Sequence, residues 1–211
     1  MKPVFLQMGE CSIDASALIC DGAIIGKSFR RLLDGYQEPP GGTIIGAEVF
    51  VGHYAIVGAG SKIGKRTIID DRSTIESRVM AAEGNLFIYS AHVCNDVIIG
   101  GGCVIGGLIG ERAKIGNGCR VFGKIVHSQY NPLMGWDDDE DEESPILEDN
   151  VFVGMGAVVC GGVVLGRKSY IAAGAVITKN VLPKHVAFGL NKTVHHSKLI
   201  SKLGNSAFFK D

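Results

Sequence analysis

The sequence predicts an all-β solenoid of short stacked strands, and three observations predict it. An aliphatic residue recurs every six positions along most of the chain, glycine makes up 30 of the 211 residues, and the breaks in register gather in two loops. With 46% hydrophobic and 20% charged residues, there is apolar material for one well-packed domain.

Stepping by six from Ile45 gives Val51, Val57, Ile63, Ile69, Ile75, Ala81, Phe87, Val93, Ile99 and Ile105. The same step gives Ile13, Ile19 and Ile25 before the first interruption. After a slip it gives Ile109, Ile115 and Val121, and after the second interruption Leu147, Val153, Val159, Leu165, Ile171 and Ile177. Of these 23 positions, 21 are Ile, Val or Leu. Glycine follows the aliphatic at 26, 46, 52, 58, 64, 100, 106, 110, 116, 154 and 166, and a small or β-branched residue stands four places after it, as at Ala55, Ser61, Thr67 and Ala157.

A period of six suits neither a helix, which repeats about every 3.6 residues, nor a lone sheet, which alternates side by side. It suits short strands joined by tight turns: the aliphatic points inward, the glycine relieves strain where the chain turns, and the small residue admits its neighbours. An ordinary barrel or sandwich calls for longer, irregular spacing between turn signals, which the register does not show.

The first interruption, about 31–43, carries Asp34-Gly35 and Pro39-Pro40-Gly41-Gly42 and is expected to be a loop. The second, about 127–145, carries Trp136 and seven consecutive acids, Asp137 to Glu143, expected to be a solvated strip. The repeat stops after Pro183, so residues 1–182 form the solenoid domain and 183–211 a C-terminal extension, in which Ser197 to Leu203 is expected to cap the open end of the stack.

A net charge of −1 with no dense basic run excludes a general nucleic-acid binder. No stretch has the apolar length of a signal peptide or a membrane span, so the expectation is a soluble, cytoplasmic protein without a membrane partner. The six cysteines form no Cys-x-x-Cys pair, and most of them are expected to be small, buried, reduced side chains.

The rows Ile63-Gly64-Lys65-Arg66-Thr67-Ile68, Val153-Gly154-Met155-Gly156-Ala157-Val158 and Leu165-Gly166-Arg167-Lys168-Ser169-Tyr170 resemble the hexapeptide-repeat acyltransferase superfamily over about residues 13 to 194. The resemblance implies a left-handed parallel β-helix with three hexapeptides per coil, hence about seven to eight coils with two loop insertions and a short C-terminal capping segment. It further implies a homotrimer with sites between subunits, and transfer of an acetyl or other acyl group from coenzyme A to a small-molecule acceptor, a sugar or nucleotide-linked sugar.

His127 falls in the six-residue register at the mouth of the second loop, where an imidazole would be an odd core residue, so it is expected to point outward. In the superfamily a histidine precedes a loop and a coil like Pro145-Ile146-Leu147-Glu148-Asp149-Asn150-Val151-Phe152-Val153-Gly154, which assigns His127 as the catalytic base. It stands in Val126-His127-Ser128-Gln129, where His-Pro is more usual. A neutral imidazole has the basicity to take the acceptor's proton as it attacks a thioester. The run Ile171-Ala172-Ala173-Gly174-Ala175-Val176-Ile177-Thr178-Lys179-Asn180-Val181 resembles the coil that lies along coenzyme A. That match assigns Ala173 and Thr178 to backbone contacts, Lys179 to a phosphate, and Met155 to the groove one coil earlier. Lys192 stands near where the family has an arginine, and offers a point charge without the bidentate fork.

Gly58-Ala59-Gly60-Ser61-Lys62-Ile63-Gly64-Lys65 resembles a phosphate loop with one residue too many, and the six-residue register already accounts for its glycines. His53, His92 and His127 are not spaced by whole coils of three hexapeptides, so no three-histidine zinc edge is expected and no metal is assigned. Three functions stand open at this point: a coenzyme-A-dependent acyltransferase, which the site residues favour; a metal enzyme like the γ-class carbonic anhydrases; and a non-catalytic scaffold.

Overall fold

A computed structural model describes residues 4–28, 42–128, 133, 142–199, 203 and 206–210. The loop expected at about 31–43, Trp136 and acids 137–141 lie almost wholly outside these residues. The described residues form 27 short strands, numbered β1 to β27 in chain order, and two single 3₁₀ turns. From β1 to β22 each strand pairs with the strand three places on, so three sheets rise side by side. The first holds nine strands from β1 (Leu6–Gln7) to β25 (Val176–Ile177), and the second eight from β2 (Cys11–Ile13) to β23 (Val164–Leu165). The third runs from β3 (Leu18–Ile19) through β24 (Tyr170–Ile171) to β26 (His185–Phe188) and β27 (Lys192–His195). All pairings are parallel except β26 with β27. The molecule is a left-handed β-helix with eight complete coils.

One large side chain per strand fills the interior. Inside the first sheet Ile25, Val57, Ile75, Val93, Ile109, Ile125, Val159 and Ile177 stack rung upon rung, each with no exposed surface. Burial of one such side chain contributes about 1.5–3 kcal/mol, and summed over the rungs it stabilises strands too short to persist alone. Gln7 pairs with Ile25 and so begins this column one rung before the aliphatic row.

Two positions in the repeat share the demands of the turn. Gly64, directly after an aliphatic, is where the next coil comes closest: a Cβ there would meet the Ala82 carbonyl carbon at 2.5 Å. The left-handed backbone falls at Arg66 (φ 57), which is where the turn reverses. The glycine after the aliphatic thus serves close approach, and the expectation that it relieves turn strain is corrected, Gly26 with its φ of 80 excepted.

The register also differs from the six-residue count at one point that matters. Val93 pairs with Ile109 and Ile109 with Ile125, so two successive coils are shorter than the others, each cut at one corner. Gly107 and Gly123 mark the shortened corners: a Cβ on Gly107 would collide with the Gly123 carbonyl, and one on Gly123 would meet the Ala157 carbonyl at 2.5 Å. The core residue is therefore Ile125, and His127 is a corner residue, not a core-register one.

Of the segment Ser197 to Leu203, expected to cap the stack, residues 200–202 lie outside the described residues. Strand β26 continues the third sheet with Val186 and Ala187 buried, and the antiparallel β27 lies beside it. Residues 206–210 fold back on the outer face of the third sheet, where Phe208 meets Tyr170 edge-on at 6.1 Å and Phe209 is buried. Tyr170 in turn stacks on Phe152, so an aromatic row on that face gives the tail something to pack against.

Candidate functional site

The corner between the first and second sheets carries polar side chains on successive rungs. Strand alternation explains their direction: with Ile75, Val93 and Ile125 pointing in, the next residues turn the corner and face outward. Going up the corner, these are Glu76, Cys94 and Asn95, Glu111, His127, Cys160, and Thr178 with Lys179.

His127 follows strand β19 (Lys124–Val126), which pairs with β22 (Val158–Cys160). Its Nε2 lies 3.0 Å from Oε2 of Glu142, whose side chain is only 5% exposed. Glu142 was expected to be solvated with the rest of the acidic strip. It is instead folded under the histidine, because the chain returning to the helix is pinned by four hydrogen bonds. Arg112 donates to the Glu142 carbonyl at 3.3 Å, the Ser128 amide and hydroxyl donate to the Glu143 carbonyl at 3.0 and 3.1 Å, and the Ser144 hydroxyl donates to the Glu111 carbonyl at 2.6 Å. A carboxylate at Nε2 fixes the proton there and leaves the lone pair on Nδ1. Nδ1 is buried and has no hydrogen-bond partner among the described residues. His127 sits at the corner with its side chain 24% exposed.

Directly above lies a groove of about 630 Å³, lined by Ser128, Glu143, Cys160, Gly161, Gly162, Val163, Thr178, Lys179 and Asn180. Cys160 links it to the histidine: its thiol donates to the His127 carbonyl at 3.7 Å. Thr178 is tied to the extension by paired contacts with Asn191, whose amide oxygen accepts from the Thr178 amide at 2.8 Å while its nitrogen donates to Thr178 Oγ1 at 2.8 Å. Leu190 bridges Val176, after which the chain reverses at Asn191 (φ 53) and Lys192 pairs back with Phe188 in the third sheet. Met155 and Ala173 stack on the other edge of the first sheet, where the Gly174 amide donates to the Met155 carbonyl at 3.0 Å. While Lys192 lies beside Phe188 in the third sheet, the other sequence-assigned residues fall at two neighbouring corners, His127, Thr178 and Lys179 on one and Met155 and Ala173 on the other. The outward faces of Val158 and Val176 lie between them.

Glu142 and Arg112 were not singled out in the sequence. Glu142 is masked by six neighbouring acids, and Arg112 occupies one of the left-handed turn positions (φ 59) that polar residues fill throughout the helix. Further down the same corner, Glu76 Oε1 lies 2.8 Å from His92 Nε2. Burial, with the Glu76 and Glu111 carboxylates nearby, pushes the Cys94 thiol up to about 12. His53 is elsewhere, its Nδ1 3.3 Å from the Asp21 carbonyl.

Residues 144–179 match the family described as Bacterial transferase hexapeptide (six repeats). The bifunctional protein GlmU of Koribacter versatilis is 27% identical over 195 residues, which covers 87% of this chain and 39% of its own length. The serine acetyltransferase of Bacillus licheniformis is 32% identical over 77 residues, 36% of this chain and 33% of its own. Among solved structures, UDP-N-acetylglucosamine O-acyltransferase of Moraxella catarrhalis aligns with a TM-score of 0.44 at 16% identity, over 89% of this chain and 72% of its own. The three-sided coil and its repeat define a protein of the left-handed β-helix class. Residues 144–179 carry the hexapeptide repeat of bacterial transferases, and the chain is similar to hexapeptide-repeat acyltransferases. It spans less than half the length of the GlmU proteins it matches, 39% in the case of Koribacter versatilis. Among the described residues no helix is long and apolar enough to cross a membrane.

Proposed function

We propose that the protein transfers an acyl group, acetyl foremost, from coenzyme A to an amine or hydroxyl of a small acceptor, with His127 as general base. The observation that carries the proposal is the buried Glu142 carboxylate 3.0 Å from His127 Nε2, at the foot of a groove that ends in Thr178 and Lys179. A carboxylate-held imidazole beside an open groove is the arrangement that base catalysis of acyl transfer needs.

In this reading the acyl donor lies across the last two coils. Its thin arm passes over Val158 and Val176, touching Met155 and Ala173 at one edge and Thr178 at the other, and Lys179 and Lys192 offset phosphate charge as point cations. Exposed Ala173 presents no bulk above its backbone, which suits a narrow arm. The acceptor's lone pair attacks the thioester carbonyl while Nδ1 of His127 takes its proton. The carbon–sulfur bond then breaks, and the imidazolium returns that proton to the leaving sulfur. Glu142 stabilises the imidazolium between the two steps. Because Nδ1 is buried, acceptor binding has to open that side of the imidazole while the Glu142 contact at Nε2 stays in place. No acyl-cysteine is needed, since direct attack balances without one.

A sugar or nucleotide-linked sugar acceptor, a trimer with sites between subunits and a cytoplasmic setting belong to the same proposal and rest on the superfamily resemblance. The test is His127→Ala assayed with acetyl-coenzyme A against a panel of amino and hydroxyl sugars. Transfer is expected to disappear while coenzyme A binding persists; unchanged turnover would overturn the role of the histidine.

A further inference from the structure

We propose that Glu76, His92 and Cys94 form a divalent-cation site of the zinc class on the same corner as His127, two rungs before it. The proposal is independent of the acyl-transfer reading.

The fold itself brings the three donors together. His92 begins strand β13 (His92–Val93), and Cys94 follows it. Val93 points inward with no exposed surface, so period-two alternation turns both His92 and Cys94 outward. Thr74 pairs with His92 and Ile75 with Val93, which places Glu76 one rung below Cys94 in the same column. One imidazole nitrogen, one sulfur and one carboxylate oxygen thus converge, all within 4.8 Å of one another. In a tetrahedral zinc site with bonds of about 2.0–2.3 Å, ligand atoms stand about 3.3–3.8 Å apart. The widest donor spacing, at most 4.8 Å, exceeds that range by about 1 Å, and the 2.8 Å His92–Glu76 contact falls about 0.5 Å below it.

The donor chemistry selects the metal. A sulfur, an imidazole and a carboxylate together suit zinc, which takes all three, and disfavour magnesium or calcium, which take oxygen ligands. Glu111 lies one rung further on and adds negative charge, held in place by the Asn95 side-chain amide at 3.3 Å. Such a carboxylate orients and charges the surroundings of a bound cation. The set differs from the three-histidine edge weighed in the sequence, since His53 and His127 take no part.

The experiment uses the full chain after removal of metal by chelation, with zinc added in competition with a chromogenic chelator and with cobalt as a spectroscopic probe. One zinc per chain is expected at submicromolar affinity, and the cobalt form should show a thiolate-to-metal charge-transfer band. Cys94→Ser should abolish that band, Glu76→Gln and His92→Gln should each weaken zinc binding by more than about tenfold, and Cys20→Ser should change neither. Zinc should raise the unfolding midpoint of the parent chain and not that of Cys94→Ser, whose own unfolding transition confirms that it folds. Absence of stoichiometric zinc binding, or an unchanged band in Cys94→Ser, overturns the proposal.

Discussion

Nε2 of His127 and Oε2 of Glu142 stand 3.0 Å apart although the whole second loop separates them in the chain. The contact fixes which imidazole nitrogen keeps its proton, and the buried position of Glu142 makes the pair strong in both directions. Substituting Glu142→Gln keeps the shape and removes the charge. The turnover number is expected to fall by about 10²-fold with the Michaelis constant for the acyl donor unchanged, within the range of a general-base contribution. Steady-state kinetics against both substrates check this.

Removing the histidine instead leaves a buried carboxylate without its partner. His127→Ala is therefore expected to lower stability by about 1–3 kcal/mol, and the double variant His127→Ala/Glu142→Gln to recover part of that loss. Urea unfolding of the four proteins in a cycle gives the coupling directly.

The coil core gives a sharper stability prediction. Ile69 has no exposed surface and sits mid-stack between Val51 and Phe87. Ile69→Ala is expected to destabilise by about 2–5 kcal/mol through lost transfer energy and a residual cavity. Gly64→Ala, whose new methyl would meet the Ala82 backbone at 2.5 Å, is expected to destabilise by forcing two coils apart, although alanine is the better residue in most other settings. Thermal and urea unfolding of the two variants beside the parent chain check both.

Much of this was legible before the structure. The six-residue aliphatic row located the strands and the core because each coil repeats one physical solution, a single large side chain per strand. What the row missed follows from the same logic. Gln7 opens the first inward column without an aliphatic because it has a neighbouring rung on one side only. The shortening at Gly123 left no aliphatic gap to notice, which is how His127 came to look like a core position. The partner of His127 was hidden because Glu142 differs from its acidic neighbours only in where the chain re-enters the helix. The tail's docking on Tyr170 was hidden because it depends on an aromatic row whose members, Phe152 and Tyr170, lie a full coil apart in the chain and meet only when the coils stack.

The C-terminal hairpin carries a pH prediction. His195 lies 5.1 Å from His185 and 4.6 Å from His196, ring to ring. Desolvation foremost, then the neighbouring histidines and lysines, holds its imidazole below the ordinary range. The folded state therefore binds its proton less readily than the unfolded chain does. That contribution to stability is present above the ordinary histidine value and is lost as pH falls through it toward the lowered one. In a proton NMR titration His195 should protonate at lower pH than a free histidine, and amide exchange in β26 and β27 should quicken as it does.

Calorimetric titration of acetyl-coenzyme A into the purified chain tests the central claim most directly. Micromolar binding at one per chain, weakened at least about tenfold when Lys179→Glu reverses the charge at the groove's end, is the predicted result. No measurable binding, or equal binding by Lys179→Glu, would contradict the placement of the acyl donor along the last two coils.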